Sequence, residues 1–82
     1  MNRNEMKIEF GSDPRNESFA RVVVASFMTR TNPTLEEVAD VKTAVSEAVT
    51  NSIIHGYGQK EGTIEIRAYI EERKLYIEII DY

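Results

Sequence analysis

Met6, Ile8 and Phe10 alternate with Lys7 and Glu9, the period-two pattern of a strand with one buried face, and this predicts a strand over about residues 5–10. Gly11, Ser12, Asp13 and Pro14 then break it with turn residues. Phe19, Val22, Val23, Ser26 and Phe27 recur at helical spacing, with Asp13 or Asn16 able to cap, and predict a first helix over about residues 15–30 that ends at Thr31-Asn32-Pro33. That register places Glu17, Arg21, Val24 and Met28 on the opposite side, away from the core. Thr34 followed by Glu37 has the spacing of a capping box, and Val38, Val41, Val45, Ala48, Val49 and Ser52 carry one stripe onward. A second helix is therefore expected from Thr34 to about His55, with Gly56 as its left-handed terminator. Beyond a polar, glycine-rich loop over residues 56–62, Ile64, Ile66, Ala68 and Ile70 alternate with Glu65, Arg67 and Tyr69. Leu75, Ile77 and Ile79 alternate in the same way after the charged turn from Glu71 to Lys74, which makes the pair an antiparallel hairpin. The order strand, helix, helix, strand, strand predicts an α+β fold: a single domain over residues 1–82, built as a two-layer sandwich of helices on an antiparallel or mixed sheet.

Composition narrows the function more than the fold. The 82 residues allow only a thin core, since chains near this length bury about 60% of their unfolded surface. A net charge of −4 argues against direct binding to nucleic acid, whose phosphates call for a basic patch. The absence of cysteine excludes disulfides and thiolate metal sites and agrees with a reducing, cytoplasmic setting. No apolar run approaches a membrane span, and the polar start MNRNEMK is unlike a signal peptide, so no membrane association is expected.

Within SEAVTNSIIHGYG, residues Glu47, Asn51 and His55 stand four apart and fall within roughly 80° of one another on a helical projection, off the valine stripe. A carboxylate and an amide oxygen one turn apart suit a hard cation that keeps several waters, as magnesium does beside phosphates. A histidine near a helix C-terminus is also explained by the helix dipole alone, so both a structural and a phosphate-side role remain open for His55. On the first helix, Glu17 and Arg21 have ion-pair spacing, and with Val24 and Met28 beside them they would make an outward strip suited to a protein partner.

The run EAVTNSIIHGY resembles the N-box of the GHKL ATPase superfamily, to which gyrase and the histidine kinases belong. NESFARVVVASF, NPTLEEVADVKTAVSEAVTNSIIHGY and the flanking strands extend the likeness over nearly the whole chain, to the anti-sigma F family of spore-forming bacteria. The resemblance implies an incomplete GHKL-type domain and a protein that dimerises, binds and silences sigma factor F, and phosphorylates an anti-anti-sigma factor on serine with ATP and Mg2+. It implies Glu47 as general base, Asn51 as magnesium ligand, His55 as a neighbour of the phosphates, and Asp81 as acceptor from the adenine amino group. It further implies Arg21, with Glu17 beside it, as the contact to sigma factor and anti-anti-sigma factor. The glycines that follow the aspartate in the D-x-G-x-G box, the lid over ATP and the second glycine-rich loop would all lie past Tyr82. The 82-residue chain is thus expected to be the N-terminal portion of such a domain and to lack kinase activity alone. An anti-sigma B type stress-response kinase and a truncated, non-catalytic sigma-binding and dimerisation module are the alternatives. The catalytic domain of a sensor histidine kinase fits less well, because no phosphoacceptor helix precedes the first helix.

Overall fold

Strand β1 (Asn4–Gly11) leads through a turn into helix α1 (Asn16–Met28), which tightens into a 3-10 turn over Thr29–Thr31. Helix α2 (Leu35–Asn51) follows and widens into one π turn over Ser52–Gly56, and the hairpin of β2 (Thr63–Glu71) and β3 (Lys74–Asp81) completes the chain. The structure is a computed structural model that describes residues 3–56 and 62–82, with backbone alone for His55 and Gly56. The polar loop foreseen after the second helix lies mostly outside the described residues. No helix among those described is long and apolar enough to cross a membrane.

Local chemistry accounts for these boundaries. Neither candidate caps α1, whose N-cap position is Arg15 with no side-chain cap bond. Asp13 Oδ1 instead accepts from the Arg15 amide (2.8 Å) in the turn before the helix, and the Asn16 side chain donates to the Gly11 carbonyl (2.9 Å). Asn32 adopts φ 58° and ψ 54°, the left-handed conformation that ends a helix, directly ahead of Pro33. The capping box is present at α2: the Glu37 amide donates to Thr34 Oγ1 (3.0 Å) and the Thr34 amide to Glu37 Oε1 (2.8 Å). The hairpin closes through Glu72 and Arg73, both with positive φ (54° and 68°), where turns of this kind normally carry asparagine or glycine.

The sheet has the order β1-β2-β3 and is antiparallel throughout, with β2 central. Ile8 stands opposite Ile66, and Ile66 opposite Ile79, so one face presents a row of aliphatic side chains to both helices. Ala20 and Val24 of α1, Val45 and Val49 of α2, and Ile64 and Ile66 of β2 form the core, with Ile53 packed at its margin. This is the α+β sandwich that the pattern predicted.

One expectation is overturned. Val24 and Met28, expected on the outward strip of the first helix, are 0% and 5% exposed, whereas Phe19 and Val22, expected in the core, are 48% and 57% exposed. The buried stripe of α1 is Ala20, Val24, Phe27 and Met28. Ala20 has almost no side chain to displace, so α1 can approach α2 closely there. Phe19 turns aside to meet Phe10 edge-on, with ring centroids 6.1 Å apart. The outward strip of Val24 and Met28 beside Arg21 therefore does not exist. The second helix differs in a smaller way: its α-helical bonding stops at Asn51, four residues before His55, where the π turn begins.

Candidate functional site

Val45 and Val49 fix the rotation of α2 about its axis, and that rotation carries Glu47 and Asn51 to solvent on one strip. Across from them stand Glu17 and Arg21 of α1, joined by an Arg21 Nη1 to Glu17 Oε2 bond of 3.0 Å. An open groove of ≈ 600 Å³ is lined by Glu17, Ser46, Glu47, Thr50 and Asn51. A second, ≈ 420 Å³, is lined by Arg21, Ala39, Lys42, Thr43, Ser46 and Glu47. Glu47 and Ser46 line both, so the helix packing brings four of the six candidate residues to two adjoining grooves. The buried Ser46 Oγ has no hydrogen-bond partner, alone in this among the described side chains.

The first of these grooves carries hard oxygen donors of the kind magnesium takes. Asn51 offers a neutral amide oxygen and Glu47 a carboxylate one turn earlier, both accessible to water, which suits an ion that retains most of its hydration. Among the described residues no group of three or more His, Cys, Asp or Glu could hold a metal unaided. A site here would need phosphate oxygens as further ligands.

Asp81 lines neither groove. It closes β3 opposite Ile64, which places it on the sheet face that carries the helices, and it is exposed. The side chain of His55 lies outside the described residues.

Two polar positions went unnoticed in the sequence. Ser12 is buried and clasps Gly62 in both directions: its amide donates to the Gly62 carbonyl (3.0 Å), and its hydroxyl accepts from the Gly62 amide (2.7 Å). Glu65 looks like an ordinary outward position of β2 yet is 1% exposed. Tyr82 Oη donates to Glu65 Oε1 (2.7 Å), and Arg67 Nε donates to Glu65 Oε2. The tyrosine hydroxyl first, and the guanidinium second, hold the Glu65 carboxyl below its ordinary 4.5, while the carboxylate pushes the Tyr82 phenol up. No spacing rule signals this cluster, because Glu65 and Tyr82 meet only through the register of β2 and β3.

Residues 10–82 match the histidine kinase-like ATPase domain family. The anti-sigma F factor of Clostridium kluyveri is 62% identical over 78 residues, which are 95% of this chain and 55% of that protein. The anti-sigma F factor of Thermoanaerobacter sp. is 59% identical over 78 residues, covering 95% of the chain and 54% of the relative. That of Clostridium acetobutylicum is 58% identical over 81 residues, with 99% and 57% covered. The chain thus spans little more than half the length of these relatives.

Proposed function

Because the chain belongs to the histidine kinase-like ATPase domain family, we propose that the whole protein is a dimeric cytoplasmic anti-sigma factor that binds sigma factor F. We propose further that it is an ATP-dependent serine kinase acting on the anti-anti-sigma factor. The relatives' names support the anti-sigma role within the first part. The observation that carries the second is the position of Glu47, shared between the groove that holds Asn51 and the groove that holds Arg21.

In this reading Arg21 exchanges its bond to Glu17 for a carboxylate of the partner, whose planar pairing with a guanidinium fixes the partner's orientation. Glu47 takes the proton of the substrate serine as its oxygen bonds to the γ-phosphorus. The bond from that phosphorus to the β-phosphate oxygen breaks, and ADP leaves. Asn51 would hold Mg2+, which when bound offsets negative charge on the phosphates. His55 would stand beside those phosphates, and Asp81 would accept a hydrogen bond from the adenine amino group.

The test is Glu47→Gln in the whole protein, which keeps size and polarity and removes the base. Single-turnover phosphate transfer to the anti-anti-sigma factor should fall by about 10²–10⁴-fold, with ATP affinity unchanged. Transfer at the parent rate would remove Glu47 from the reaction and leave only the binding role.

A further inference from the structure

We propose that Tyr82 and Glu65 are positioning residues for Asp81, locking the last rung of β3 from the outer face of the sheet so that the Asp81 carboxylate is aimed from the inner one. The inference rests on the reading of Asp81 as the acceptor for the nucleotide base.

Among the described strands β3 pairs with β2 alone. Two bonds hold Tyr82 to β2, next to Asp81. The Tyr82 amide donates to the Thr63 carbonyl (3.0 Å), continuing the ladder one residue past Asp81, and the Tyr82 hydroxyl donates to Glu65 Oε1 (2.7 Å). Glu65 is paired with Ile80, so Tyr82 reaches it along the diagonal of the same outer face. Successive strand residues point to opposite faces, and Asp81, between Ile80 and Tyr82, is left on the helix side opposite Ile64. Pinning Tyr82 by both backbone and side chain therefore fixes the peptide planes on which the direction of the Asp81 side chain depends.

The cluster places a carboxylate where burial makes it costly. Glu65 is the one buried ionisable side chain among the described residues, and a buried carboxylate is tolerated only when bonded on its oxygens. Arg67 occupies one oxygen and Tyr82 the other. An aliphatic residue at position 65 would serve the sheet as well, but it could not hold the tyrosine hydroxyl in one direction.

The consequence is that a hydroxyl which touches no nucleotide governs which base is accepted. The experiment compares Tyr82→Phe, Glu65→Gln and Asp81→Asn in the whole protein by calorimetric titration with ADP, GDP and inorganic tripolyphosphate, alongside thermal unfolding. All three variants should lower the preference for ADP over GDP, by about tenfold for Tyr82→Phe, the scale of losing a supporting bond behind a ligand-contacting group, with tripolyphosphate affinity unchanged. A parent-like preference in Tyr82→Phe and Glu65→Gln, with the preference lost in Asp81→Asn, would overturn the positioning role alone. A parent-like preference in Asp81→Asn would overturn the reading of Asp81 and the inference together. Equal losses for all three ligands would make the cluster a purely structural clamp and also overturn it.

Discussion

Replacing Val24 by alanine, with Val22→Ala as its neighbour two positions away, measures which face of α1 is buried and hence which face is free for a partner. Val24 is 0% exposed and belongs to the core with Ala20, Val45, Val49, Ile64 and Ile66. The change removes two carbon atoms, each worth about 0.8 kcal/mol in burial, and leaves a cavity between α1 and the sheet that adds to the loss. A destabilisation of about 2 to 3 kcal/mol follows. In a domain of this size it lowers the midpoint of thermal unfolding by roughly 8 °C or more. Val22 is 57% exposed, and its truncation should stay within about 0.5 kcal/mol of the parent. Urea unfolding of the two variants, read by circular dichroism with the slope checked for constancy, gives both numbers. Equal losses, or a larger loss for Val22→Ala, would refute the packing of α1 described above and restore Val24 as a candidate contact surface.

Two further outcomes are expected. The hairpin turn holds Glu72 and Arg73 at positive φ, a conformation that costs roughly 1 to 2 kcal/mol for a residue with a Cβ, so Glu72→Asn with Arg73→Gly should raise stability by about 1 kcal/mol; a lower melting midpoint would contradict it. Asp13 is lowered from 3.8 to about 2, by the Arg15 guanidinium first and the Arg15 amide second, so its contribution to stability is complete above 3.8 and disappears as pH falls toward about 2. Glu65 is shifted in the same direction, so stability should fall on acidification through this range, and less steeply in Asp13→Asn, as followed by thermal unfolding across it.

The strands, the hairpin and the capping box were legible because each is written in neighbouring residues: alternation for β1, β2 and β3, and Thr34 with Glu37 for α2. The face of α1 was not. Residues 22–24 are all valine, so a stripe through Phe19, Val22 and Phe27 and one through Ala20, Val24 and Met28 both satisfy the helical period. Bulk hydrophobicity favours the first. Close approach of two helices favours the second, because it needs a small residue where the backbones come near, and Ala20 supplies it. The exposed strip of Glu47 and Asn51 followed from the valine stripe of α2 alone. Its meeting with Glu17 and Arg21 depends on how α1 docks, and the burial of Glu65 depends on strand register, neither of which is local in sequence.

The pairing of β1 with β2 joins Asn4 to Ile70 and Gly11 to Thr63, whereas β2 and β3 are joined across a two-residue turn. Strand β1 is thus among the last of the described strands to find its ladder. Closing the loop between its ends costs entropy before any bond repays it, and local structure in α1, α2 and the hairpin forms sooner. In the interval Met6, Ile8 and Phe10 are an unpaired apolar strand. The two-way bond between Ser12 and Gly62 adjoins the Gly11–Thr63 end of that ladder, where it shortens the search for register. The rate of folding should therefore respond to changes at Ser12 more than to changes in the hairpin turn.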